Sequence, residues 1–142
     1  MKDMSCAYCA EGALVDKFGI KVTELPASKV YLFREQSHRG RVIVASQFHV
    51  SEMIDLGDAD RRAFMDDVAR VATALRKLFH PAKINYGAYG DTGCHLHFHL
   101  VPKYADDPFE WGSTFAMNPQ RTFLSDAAYA ERVAAIRSEL GV

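Results

Sequence analysis

His95-Leu96-His97-Phe98-His99-Leu100-Val101 is the stretch from which the rest of this chain is best read. Side chains alternate along a strand, so the three histidines share one face while Cys94, Leu96, Phe98 and Leu100 share the other. The apolar face anchors a sheet to its core and leaves an imidazole row on the opposite side. Half of the chain's six histidines fall in these seven residues, a pattern that points to chemistry rather than packing. A strand rises about 3.3 Å per residue, so the first and third rings start roughly 13 Å apart. Zinc binds imidazole nitrogens at about 2.0 Å, and one ion therefore cannot easily collect all three. The row must divide its labour.

Working outward, Gly90-Asp91-Thr92-Gly93 is a turn between two expected strands, Ile84 to Tyr89 and Cys94 to Val101, the second closed by Pro102. Upstream, Asp58 opens a long amphipathic helix in which Phe64, Val68, Val71, Ala72, Leu75 and Phe79 recur at helical spacing, ended by Pro81. Before it, Val22 to Leu25, Lys29 to Arg34 and Arg41 to Ala45 are rich in Val, Ile, Tyr and Phe and read as antiparallel strands. A final helix is expected from an N-cap at Ser125, with Tyr129, Val133, Ile136 and Leu140 on one face and Gly141 as its stop. This order predicts an α+β domain in which helices cover an antiparallel sheet of about five strands.

The 142 residues leave room for a single domain spanning 1–142. With 17 Lys plus Arg against 18 Asp plus Glu, the net charge of −1 excludes a domain that holds nucleic acid by bulk positive charge. Single nucleotides stay open as ligands. No apolar run is long enough to cross a bilayer, and Met1-Lys2-Asp3-Met4-Ser5 is too polar for a signal peptide, so a cytoplasmic protein is expected. An odd set of three cysteines, Cys6, Cys9 and Cys94, argues against a disulfide framework and leaves metal binding as the better use of Cys6-x-x-Cys9. Cys94 reads as a small core residue, and His38 and His80 as exposed loop and helix-end residues.

The row resembles the His-φ-His-φ-His-φ-φ signature of the histidine-triad (HIT) family of nucleotide hydrolases and transferases. Arg41-Val42-Ile43-Val44 with Gln47-Phe48-His49, and Ile84-Asn85-Tyr86-Gly87, are similar to two further family segments, so the likeness runs from residue 6 to about 104. It implies a HIT-like fold with one long central helix and a C-terminal helix. The implied enzyme cleaves at the α-phosphorus of a nucleoside 5'-phosphoryl compound, a phosphoramidate or a dinucleoside polyphosphate, through a nucleotidylated histidine. By motif position the nucleophile is His97. Neutral imidazole can serve at pH 7, provided its other nitrogen donates a hydrogen bond that fixes the tautomer. His99, on the same face, is placed to stabilise charge on phosphate oxygens. Thr92 matches a hydroxyl that contacts the leaving-group oxygen, and Asn85 an asparagine that contacts the nucleotide.

The resemblance also implies a structural Zn2+ held by Cys6, Cys9, His49 and His95, with no open position for catalytic water. It further implies a purine nucleotide substrate and a homodimer. Two positions depart from the common pattern: Asp91 stands where many members carry Gln, and Arg41 where many carry His. An acid repels a polyphosphate and a guanidinium attracts it, so both are expected to bear on substrate binding. Transfer of the nucleotide to phosphate or another acceptor stays open, as does a catalytically silent zinc-stapled nucleotide-binding module. Phe109, Trp111 and Phe115 either anchor their loop, wall a nucleobase or contact a second subunit.

Overall fold

The computed structural model describes residues 3–109 and 111–142. Five strands form one antiparallel sheet: β1 (Gly19–Glu24), β2 (Ser28–Phe33), β3 (Val42–Ser46), β4 (Lys83–Gly87) and β5 (His97–Lys103), in the order β1-β2-β3-β5-β4. A short helix α1 (Ala7–Ala10) precedes the sheet, α2 (Asp58–Phe79) lies between β3 and β4, and α3 (Asp126–Leu140) ends the chain. This is the α+β architecture that the sequence predicts. Among the described residues no helix is long and apolar enough to cross a membrane.

Period-two alternation sorts the strands into two faces. Val30, Leu32, Val42, Val44, Phe98 and Leu100 pack with Phe64, Val68, Val71 and Leu75 of α2 and Ile136 of α3. Fully burying such side chains is worth about 1.5–3 kcal/mol each, so this face carries the core. Tyr31, Phe33, Ile43 and Ala45 point the other way, where Tyr8 and Val15 cover them. The register sets Ala45 opposite His97 and Ile43 opposite His99, which puts both histidines on that second face.

The helix ends follow their local signals. Ser125 Oγ accepts from the Ala128 amide at 3.2 Å, and Gly141 takes the left-handed conformation, φ 72°, that stops α3. His80 takes the same conformation, φ 49°, after α2 and is exposed, as expected. Three expectations are corrected. β5 starts at His97 rather than Cys94, because the His95 amide turns back to the Gly93 carbonyl at 2.7 Å. Cys94 is therefore exposed in a loop, not packed in the core. Pro102 does not close β5, which runs to Lys103. Among the described residues β3 pairs with β5 no further than Val42 with Leu100, so the missing N–H interrupts no β3 ladder bond.

His38 is also corrected, from exposed to fully buried. Phe109, Phe115 and Ala116 lie against it: the Phe109 ring centroid is 4.7 Å from its own, that of Phe115 is 6.0 Å away, and its Nε2 lies 3.1 Å from the Ala116 carbonyl.

Candidate active site and metal centre

The irregular turn before β5 swings His95 toward the N-terminal segment. Cys6, Cys9, His49 and His95 converge there, each with a ligand atom within 4.8 Å of the others. Cys6 Sγ is 3.4 Å from His95 Nδ1, Cys9 Sγ is 3.3 Å from His49 Nδ1 and 3.6 Å from His95 Nδ1, and the two Nδ1 atoms are 3.3 Å apart. Tetrahedral bonds of about 2.3 Å to sulfur and about 2.0 Å to nitrogen give S···N edges near 3.6 Å and N···N edges near 3.3 Å. The donor set thus fits a tetrahedral ion. His95 Nε2 donates to the Ser46 carbonyl at 2.9 Å, which leaves Nδ1 as the lone-pair nitrogen facing the cluster. Burial pushes the Cys6 thiol up, and a cation would reverse that by stabilising the thiolate.

Beside this cluster lies a cavity of about 800 Å³. His97 and His99 line it from β5, Asp91 and Thr92 from the turn, Phe18, Phe33 and Ile43 from the sheet side, and Phe115 from the C-terminal loop. The volume lies within the range usual for small-ligand sites. The ring of Tyr8, between the two cysteines in sequence, sits 5.2 Å from that of His95 and 5.0 Å from that of His97. It joins the Cys/His cluster to the cavity, a placement that sequence reasoning misses; an aromatic inside a C-x-x-C loop is its local signal.

His97 Nδ1 lies 2.7 Å from the His95 carbonyl, and the only possible hydrogen bond there has the ring N–H donating. The lone pair of the neutral ring is then on Nε2. Burial lowers the His97 pKa, against the pull of that carbonyl, and so favours the neutral ring. The His99 ring centroid is 5.2 Å further along. Burial, then the Arg41 guanidinium and His97, push His99 down to about 3.

Not every expected residue meets in the cavity. Asn85 lines an adjoining shallow recess with Tyr86 and Tyr89, and the two hollows share Tyr89, Thr114 and Phe115. Arg41 is fully buried and stands behind His99 rather than at the cavity wall, because its neighbours Phe33 and Phe115 stack on the guanidinium. Trp111 is exposed.

The model of the HIT domain matches residues 21–106, and the chain belongs to the HIT family. No curated protein matches it. Solved structures agree in fold. A histidine triad protein from Bradyrhizobium japonicum superposes with a TM-score of 0.81 at 21% identity, covering 91% of this chain and 96% of its own. A hypothetical histidine triad nucleotide-binding protein from Sulfolobus tokodaii gives 0.70 at 15% identity over 96% and 92%. A Zn-bound histidine triad family protein from Mycobacterium smegmatis gives 0.68 at 23% identity over 97% and 94%.

Proposed function

We propose that this protein is a nucleotide hydrolase that cleaves at the α-phosphorus of a nucleoside phosphoramidate or dinucleoside polyphosphate. The observation that carries this reading is the His97 ring, tied at Nδ1 to the His95 carbonyl and lining a cavity with Thr92 and His99. In the proposed step the Nε2 lone pair attacks phosphorus and the bond to the leaving group breaks, giving a nucleotidylated His97. Water then displaces the histidine and releases the nucleoside monophosphate. His99 serves the non-bridging oxygens, Thr92 the leaving-group oxygen, and Asn85 the nucleotide from the adjoining recess. Asp91 faces the same cavity and weakens the hold on highly charged substrates.

The ion we assign to Cys6, Cys9, His49 and His95 is Zn2+, on the match of its tetrahedral edges to the donor separations and on the Zn-bound relative. With four protein ligands its part is structural, and it supplies no step of the reaction. The family relation supports a purine nucleotide as substrate and a homodimer as the assembly. The test is turnover of adenosine 5'-phosphoramidate by wild type and His97→Ala, with circular dichroism to show that both are folded. Release of adenosine monophosphate by wild type alone supports the reading, and equal turnover by the folded variant overturns it.

A further inference from the structure

Arg41, immediately before β3, is a fully buried cation. Its guanidinium lies 4.0 Å from the Phe33 ring centroid and 5.1 Å from that of Phe115, and it donates through Nη1 to the Met117 carbonyl. Its Nη2 is 3.0 Å from His99 Nδ1. A guanidinium has only donors, so this contact has one possible direction: Arg41 donates and His99 Nδ1 accepts. The proton of neutral His99 must then sit on Nε2. His97, two residues earlier on the same face, is bound in the opposite sense, since a carbonyl takes its Nδ1 proton.

We propose that Arg41 is a positioning residue that holds His99 as the neutral Nε2–H tautomer, so that β5 presents an acceptor nitrogen on His97 beside a donor nitrogen on His99. The acceptor suits attack on phosphorus, and the donor suits the charge that builds on its oxygens. Arg41 does this from behind the ring without touching substrate. The same guanidinium ties residues 115–117 to His99, which fixes the loop closing that end of the cavity. Glu35, itself buried, supplies the opposing charge that helps to keep Arg41 ionised. The use of the donor nitrogen rests on the hydrolase reading, whereas the tautomer pair does not.

The experiment is long-range proton–nitrogen NMR of the histidine rings at pH 7 in the full chain. Wild type, Arg41→Met and Arg41→Lys are compared, with His99→Ala assigning the signals. Wild type is expected to show His99 protonated at Nε2 and His97 at Nδ1. Arg41→Met should give a mixed or reversed His99 tautomer, with kcat for adenosine 5'-phosphoramidate down about 10- to 100-fold, the usual cost of losing such an orienting partner, and KM moving much less. Arg41→Lys, which keeps a donor, should recover part of both. Backbone amide spectra establish that each variant is folded. A wild-type His99 protonated at Nδ1 overturns the proposal without any variant, as does an unchanged tautomer in folded Arg41→Met. If wild type shows no turnover, the hydrolase reading falls and the ring spectra still decide the tautomer assignment.

Discussion

If the Cys6, Cys9, His49 and His95 cluster holds an ion, as proposed, chelation should lower the stability of the fold. The donor cluster joins residues 6 and 9 to His49 and to His95, so an ion there staples the N-terminal segment to the turn before β5. An ion bound only by the folded chain adds RT ln(1 + [M]/Kd), about 4 kcal/mol at a thousandfold excess over Kd. For a domain of this size that amounts to a rise in Tm of roughly 10–15 °C. The assay is metal content by atomic emission together with calorimetric melts before and after treatment with a strong chelator. One zinc per chain and a fall in Tm of that order are expected. Cys9→Ser should lower the zinc content and melt close to the chelated protein. Metal-free protein whose Tm matches Cys9→Ser and ignores the chelator would show that no ion staples these residues.

Three further outcomes are expected. Glu11 accepts from Lys21 Nζ at 2.9 Å and from the Tyr31 hydroxyl at 2.8 Å, and lies 3.2 Å from the buried Lys29 ammonium. Glu11→Ala should destabilise by about 2 kcal/mol in urea titrations, partial exposure of the carboxylate holding the loss below that of a fully buried pair. At Gly40, φ is +86° and an added Cβ would lie 2.7 Å from Phe79 Cδ2, so Gly40→Ala should cost about 2 kcal/mol in the same titration. Asp91 lines the cavity from an exposed turn, and Asp91→Asn should lower KM for a dinucleoside polyphosphate about threefold at low salt. That gain should vanish as salt screens the charge.

Local signals carried most of the fold. Short runs rich in Val, Ile, Tyr and Phe mark β2 and β3, the apolar stripe from Phe64 to Phe79 marks α2, and Ser125 and Gly141 bracket α3. What was not legible depends on contacts distant in sequence. Cys94 falls in phase with Leu96 and Phe98, yet the turn at Gly93 and His95 removes it from the strand. His38 sits in a polar stretch, and its burial comes from Phe109, Phe115 and Ala116, some 70 to 80 positions away. Arg41 reads as a charge available to phosphate because nothing near it in sequence announces the aromatic rings of Phe33 and Phe115 that enclose it. The convergence of Cys6, Cys9, His49 and His95 was expected from the family resemblance rather than from spacing, since two of the four lie 40 and 86 residues from Cys9.

Intact-protein mass spectrometry after brief mixing with adenosine 5'-phosphoramidate reads the covalent bond to His97 itself. Wild type should gain the mass of one adenylyl group, absent from folded His97→Ala, and should rapidly release adenosine monophosphate. An adduct of the same size in His97→Ala, or release of product by that variant at the wild-type rate, would contradict a covalent step at His97.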